Sequence, residues 1–242
     1  MQIIKTPILS PEENIAIDEF LLKKAEDGEI GENVRLWSYP RYFIVLGRTS
    51  KVLDDCFLGS CHKNNIKIIR RISGGGTVLE GPGCLNFSAI LSYESDPAYK
   101  NINSSYKKIL EKISIPLKFK GLDVSFLPLA DLAIGGKKIS GNAQARKRKF
   151  FLHHGTFFYD FDIPMIKTYL KHPKREPGYR RGRSHENFLA NTTLTKQELE
   201  EMITNVFSPG IRSFWEPSVK DFRELGMLVS KKFASDKWNY CF

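Results

Sequence analysis

Ile66-Lys67-Ile68-Ile69-Arg70-Arg71-Ile72-Ser73-Gly74-Gly75-Gly76-Thr77 is the stretch on which the fold turns. Ile66–Ile69 is β-branched and reads as a strand. It runs straight into two arginines and three successive glycines. Glycines let a backbone approach a ligand closely and turn its N–H groups toward an anion. Arginines beside them can fork onto a phosphate or carboxylate. No Gly-Lys-Ser/Thr follows, so the loop is not of the Walker type. The glycines do not open a helix with GxGxxG spacing either, which speaks against a dinucleotide fold. Taken alone, a glycine cluster marks a turn as readily as a site.

Reading outward, Ser10-Pro11-Glu12-Glu13 is a capping box with proline at the first helical position. Ile17, Phe20, Leu21 and Ala25 supply the apolar face of the helix it opens, and Gly28 stops it. Val34–Trp37 and Tyr42–Leu46 read as strands around Pro40, and Asn86–Leu91 as another. Residues 104–113 read as a helix. Asp131–Ile134, Gly135-Gly136 and Lys138-Ile139 read as a hairpin, and Phe150–Tyr159 as a strand. Pro164–Leu170 is a short helix, and 171–187 a basic loop. Thr195-Lys196-Gln197-Glu198 is a second capping box opening a helix to Phe207, and 218–234 holds another helix. There is no repeat and no low-complexity linker. Strands and helices alternate irregularly, with strands close enough for hairpins. The expectation is one α+β domain over residues 1–242, with a central mixed, largely antiparallel sheet flanked by helices.

The chain has 242 residues, with 37 Lys plus Arg against 27 Asp plus Glu and a formal net charge of +10. Such a balance attracts nucleic acid, nucleotides or an acidic protein. Met1–Pro7 lacks the features of a secretion signal, and no apolar run is long enough for a bilayer. Cys56, Cys61, Cys84 and Cys241 form no CxxC pair. Reduced thiols in a cytoplasmic protein, without a membrane partner, are expected.

Three further segments carry chemistry. In Gly136-Lys137-Lys138-Ile139-Ser140-Gly141-Asn142-Ala143-Gln144, strand alternation places Lys138, Ser140 and Asn142 on one face. A cation, a hydroxyl and an amide there can cradle a charged ligand, and a lysine-bearing edge strand is the plainer alternative. His153 and His154 are adjacent in an apolar run, so they point to opposite faces and cannot share a metal. His172–His185 is dense in cations: an RNA-binding surface, a lid, a docking surface for an acidic protein, or a solvated loop.

Together these segments are more specific than any one. Arg70–Val78 resembles the RRxSGGG signature of the lipoate and octanoate attachment enzymes. Gly136–Ala143 resembles their lysine motif, and His153-His154-Gly155-Thr156 their HHGT segment. Leu36-Trp37 and Val45-Leu46-Gly47-Arg48 are similar to their first two strands. The resemblance covers about residues 10–207. It implies the catalytic module shared by biotin protein ligases and class II aminoacyl-tRNA synthetases. It also implies a lipoate–protein ligase: lipoate or octanoate is activated by ATP, with Mg²⁺, to acyl-AMP. The acyl group then passes to a lysine of a lipoyl carrier domain, on the glycine-cleavage H protein or a 2-oxoacid dehydrogenase subunit, with no nucleic acid involved. By the same resemblance, Lys138 is the catalytic residue, acting by charge stabilisation. Arg71, Ser73, Gly74, Gly75, Gly76, Thr77, Val78 and Leu79 wrap the adenylate and acyl head. Asn86 and Asp131 contact the nucleotide or Mg²⁺, Ser140, Gly141 and Asn142 are further ligand contacts, and His154 lines the acyl tunnel. No dedicated protein metal site is expected.

The chain departs from that pattern in places. Ala130-Asp131 stands where the family often has Asn-Asp, and Glu80-Gly81-Pro82-Gly83-Cys84 replaces a common His-Asp-x-Gly-Asn. Lys237–Phe242 resembles the point where many ligases enter a small accessory domain; none is expected here, and a separate accessory subunit is one implied partner. The alternative is an octanoyltransferase that uses a cysteine and no ATP. One branch of these places its cysteine just before the lysine motif, where this chain has Ser125-Phe126. Another places it after the HHG segment, and residues 156–185 hold no cysteine. An RNA-binding protein is the reading from another class.

Overall fold

A computed structural model of the chain describes every residue except Ile8 and Leu129. In order, the elements are β1 (Gln2–Ile4), α1 (Pro11–Glu26), β2 (Asn33–Trp37), β3 (Phe43–Leu46), α2 (Val52–Asp55), α3 (Leu58–Lys63), β4 (Ile68–Arg70), β5 (Val78–Glu80) and β6 (Cys84–Ser92). Then come α4 (Ile102–Phe119), β7 (Val124–Leu127), β8 (Asp131–Ile134), β9 (Lys137–Arg146), β10 (Phe150–Phe158), α5 (Ile166–Tyr169), α6 (His185–Phe188), α7 (Lys196–Phe207), β11 (Ser213–Trp215), α8 (Val219–Leu228) and α9 (Asp236–Asn239).

The main sheet runs β11-β1-β2-β6-β10-β9-β8-β7, and a small sheet runs β4-β3-β5. β1 pairs parallel to both β11 and β2, while the strands from β2 to β7 pair antiparallel. The mixed, largely antiparallel sheet expected from the sequence is therefore present. β1 and β11 were not expected: three residues each carry no readable alternation, and they pair with each other from opposite ends of the chain. β5, β7, α2 and α3 escaped for the same reason of length. α4 outruns the expected 104–113 and carries Pro116 in its last turn, because Ile109, Leu110, Ile113 and Leu117 keep one stripe buried.

One face of the main sheet packs on α4 and α7, through Phe87, Phe151 and Phe157 against Ile113, Leu199 and Ile203. The other face packs on α1, whose Ile17, Phe20 and Leu21 meet Ile90 and Leu152 of the main sheet and Val45 and Ile69 of the small one. Each such fully buried aliphatic side chain contributes about 1.5–3 kcal/mol relative to exposure. α1 opens on the expected box: Ser10 Oγ accepts from Glu13 N at 3.2 Å, and Glu13 Oε2 accepts from Ser10 N at 2.8 Å. Lys24, on its last turn, pairs with Asp221 at 2.9 Å and fixes α8 beside it. α1 and the small sheet thus cover part of this face and leave a cleft over β6, β9 and β10.

Candidate active site

That cleft is a cavity of about 710 Å³. Its floor is the main sheet, where Asn86 pairs with Thr156 and Trp37, Ser88 with His154, and Gly141 with Thr156. Ser88, Gly141 and Ala143 are small, which keeps the floor open. Ile15 of α1 and Val45 and Val78 of the small sheet form an apolar wall with Trp37. The glycine loop closes one side and the basic loop, through Lys174, Arg175, Tyr179 and Arg180, forms the rim opposite.

Most of the residues expected at a site meet here. Arg71, Gly75, Gly76, Thr77, Val78, Leu79, Asn86, Asp131, Lys138, Gly141, Asn142 and His154 all line the cavity. Ser73, Gly74 and Ser140 are not on its wall. The shared face expected for Lys138, Ser140 and Asn142 is broken by a bulge where β8 meets β9, at Leu132/Ala133. The extra residue reverses the alternation. Lys138 therefore lies with Gly141 over the cavity, while Ser140 is fully buried and sits 3.4 Å from Asn142 Nδ2. Lys138 Nζ pairs with Asp131 Oδ1 at 2.9 Å, and the Tyr179 hydroxyl donates to Asp131 Oδ2. Burial first, and then Asp131, push the Tyr179 phenol far above its ordinary range.

The arginines do not fork onto a ligand as their place suggested. Arg70 donates to the carbonyls of Gly47, Arg48, Ser50, Trp238 and Asn239. Arg71 turns inward: Nε donates to Ser73 Oγ at 2.9 Å, and Nη2 to the carbonyls of Gly74 at 2.7 Å and Gly76 at 2.9 Å. Burial lowers Arg71 to about 10. Arg71 thus shapes the glycine loop from within, while Arg70 ties the strand before it to the turn after β3 and to Trp238 and Asn239. With the carbonyls held this way, a Cβ at Gly76 would meet nothing within 4 Å, so the loop's cavity side is free for a ligand.

The histidines part as expected. His153 is buried against Phe87 and Tyr106 beneath the sheet. His154 faces the cavity, with Nε2 2.6 Å from Ser73 Oγ and Nδ1 3.3 Å from Asp18 Oδ2. This resembles a serine–histidine–aspartate relay in outline only. Ser73 is 1% exposed, lies off the cavity wall and already accepts from Arg71.

Two features were not singled out from sequence. Thr77 Oγ1 donates to Asp55 Oδ2 at 2.5 Å, which ties α2 to the glycine loop. Glu80 sits in the floor between Thr156 and Asn86. Both needed contacts between distant segments. The basic loop is seated at the cavity: Arg183 donates to Gly136 O at 2.9 Å and both Arg180 and Arg183 stack on Phe188.

No cysteine lines the cavity among the described residues. Cys56, Cys61 and Cys84 are buried, and Cys241 is exposed. Burial and then Glu80 push the Cys84 thiol well above its usual value. Ser125 is exposed on edge strand β7 with its hydroxyl toward Ala133 O, and is not on the cavity wall.

Among families of known proteins, the lipoyl protein ligase A/B catalytic domain matches residues 10–207. The octanoyltransferase LipM of Brevibacillus brevis is 24% identical, over 98% of this chain and 97% of its own. The lipoate-protein ligase LplJ of Bacillus subtilis is 25% identical, over 96% of this chain and 71% of its own. The bi-partite lipoate protein ligase of Thermoplasma acidophilum, described with its E2 lipoyl domain, has the same fold: TM-score 0.83 at 23% identity, covering 99% of this chain and 95% of that one.

Proposed function

The chain belongs to the family of lipoyl protein ligase A/B catalytic domains, and on that premise we propose that it is an ATP-dependent lipoate–protein ligase. Lipoate or octanoate is activated as acyl-AMP and passed to a lysine of a lipoyl carrier domain. The observation that carries this reading is the lack of any cysteine among the described residues of the cavity wall. A transferase working through an acyl-enzyme needs a thiolate within reach of the acyl group. Activation as a phosphoric anhydride needs fixed donors and a cation, and the cavity holds both.

ATP is a substrate here: the carboxylate of the acyl acid attacks its α-phosphorus, pyrophosphate leaves with Mg²⁺ offsetting its charge, and the adenylyl group turns a poor acyl donor into a good one. The donor set fits it. Lys51, Lys138, Lys171, Lys174 and Arg175 surround the cavity, and Gly75–Val78 line it. Mg²⁺ takes one or two carboxylates and shares the rest with phosphates; Asp131 and Asp55, both on the cavity wall, would be the carboxylates to hold it. Lys138 offsets the charge that grows on the phosphate in both half-reactions. Ile15, Trp37, Val45 and Val78 hold the acyl chain and exclude water. Ser73, Gly74 and Ser140 support this wall from behind, and Asn86 has its amide committed to Glu80 and Thr156. The basic rim suits an acidic carrier domain better than RNA, since several of its cations are tied down at the cavity mouth.

The ATP-free octanoyltransferase remains the second reading, favoured by the near full-length match to LipM. The experiment incubates the protein with ATP, Mg²⁺ and lipoate or octanoate without acceptor, and assays acyl-AMP and pyrophosphate. A parallel reaction offers octanoyl-carrier protein without ATP. Acyl-AMP is expected, and Cys84→Ala is expected to keep forming it. ATP-free transfer that disappears in Cys84→Ala would overturn the ligase reading.

A further inference from the structure

Glu80, Asn86 and Thr156 form a closed ring in the cavity floor. Thr156 Oγ1 lies 2.8 Å from Glu80 Oε1 and 2.5 Å from Asn86 Oδ1, and Asn86 Nδ2 lies 3.1 Å from Glu80 Oε2. Each contact requires one proton between its two atoms. The Asn86 N–H serves the edge to Glu80. Two oxygen–oxygen edges remain, and the Thr156 hydroxyl has one proton. Turning the amide over does not help. It puts an N–H on the threonine edge and frees the hydroxyl for Glu80 Oε1, but sets Asn86 Oδ1 against Glu80 Oε2 with nothing between. In either orientation the ring is one proton short when Glu80 is ionised, and complete when Glu80 is a carboxylic acid.

We propose that Glu80 is kept as a neutral carboxylic acid and serves as a positioning residue, completing the floor without placing negative charge where an anionic acyl head and phosphate bind. The role in binding rests on the acyl-activating reading of the cavity; the protonation does not. Glu80 is 4% exposed, and burial, the largest effect on it, raises its carboxyl above the ordinary value. Hydrogen bonds from Thr156, Asn86 and the Cys84 thiol of β6, and then the charge of Arg71, pull the other way without overcoming burial. The donors of Arg71 go to Ser73, Gly74 and Gly76, and the Cys84 thiol is itself raised. Tyr42, packed where a Cβ of Gly81 would stand, carries a raised phenol. From β10, His154 lies two residues from Thr156 on the same face, and Lys138 is already paired with Asp131.

Carbon-13 NMR of protein labelled at its glutamate carboxyls reads the state directly. The signal missing from Glu80→Gln is expected at the protonated position at neutral pH, while exposed glutamates titrate at ordinary values. A Glu80 signal that titrates with them overturns the proposal. Thermal denaturation gives a second readout. The folded value lies above the unfolded one of 4.5, so Glu80's contribution is full below 4.5 and is lost as pH rises through the folded value. Glu80→Gln, the neutral isostere, should therefore gain on wild type as pH rises. A gap independent of pH counts against the ring. For the binding role, octanoate affinity by calorimetry should fall about ten-fold in wild type, and not in Glu80→Gln, as the Glu80 signal ionises. The same pH dependence in both proteins overturns that role. If neither binds octanoate while the NMR signal stays protonated, the acyl reading of the cavity fails and the neutral ring stands.

Discussion

Lys138 lies over Gly141, where a Cβ would stand 2.4 Å from its Nζ. The ammonium keeps its place because that side chain is missing and because Asp131 holds it. Lys138→Ala is expected to reduce acyl transfer by about 10² or more with the melting curve little changed, since the side chain supports no core packing. Near-normal turnover in a folded variant would remove the residue from the mechanism. His153 carries a different expectation. Burial lowers it to about 3, below its ordinary 6.5. Stability is therefore full above 6.5 and is lost as pH falls toward 3, by up to about 1.4 kcal/mol per pH unit. Urea titrations across that range measure the slope, and His153→Gln should flatten it. Lys138 and the parted histidines were readable because motif and alternation both act over a few residues. Ser140 was misread because a bulge depends on the partner strand, and Glu80 showed only as a departure because Asn86 and Thr156 come from other strands.

Among the elements, β3 and the glycine loop meet at their tightest at Gly47, where a Cβ would stand 2.0 Å from Gly75 O. Gly75 itself has φ +91, in the left-handed region that favours glycine. Gly47→Ala is expected to cost about 1–3 kcal/mol in urea unfolding and to weaken nucleotide-dependent activity as well, because the loop must move to admit the methyl group. An unchanged midpoint would mean that the two segments separate easily. Ser10→Ala, which removes one half of the α1 box, should cost about 1 kcal/mol with activity preserved. Both boxes expected from the sequence are formed. A box is spelled within four consecutive residues, whereas three-residue strands such as β1 and β11 are held by hydrogen bonds to partners and leave little sign in their own residues.

For the whole molecule, a net charge of +10 and a basic cavity rim act together. Transfer to an acidic carrier domain should lose kcat/KM steeply as salt is added, while activation of the free acid should change little. Steady-state rates of the two half-reactions across a salt series test this, and equal sensitivity would place the effect at the nucleotide instead. The mixed sheet was legible as a class because hairpin spacing shows in one dimension. Its parallel flank was not: residue 2 pairs with residue 213, and no local pattern records such a partner.

Trp238 Nε1 donates to Arg70 O, Asn239 Oδ1 accepts from Arg70 N, and the Arg70 guanidinium reaches the carbonyls of both residues. The strand that carries the glycine loop is thus latched by residues made long after it. Chains emerge from the ribosome N-terminus first. By residue 189 every group of the cavity wall has been synthesised, yet the loop is still without its latch. Assembly of the enzyme is therefore timed by its tail: a nascent chain can lay down the sheet and fill the core, but it gains a finished loop only when Trp238 and Asn239 arrive.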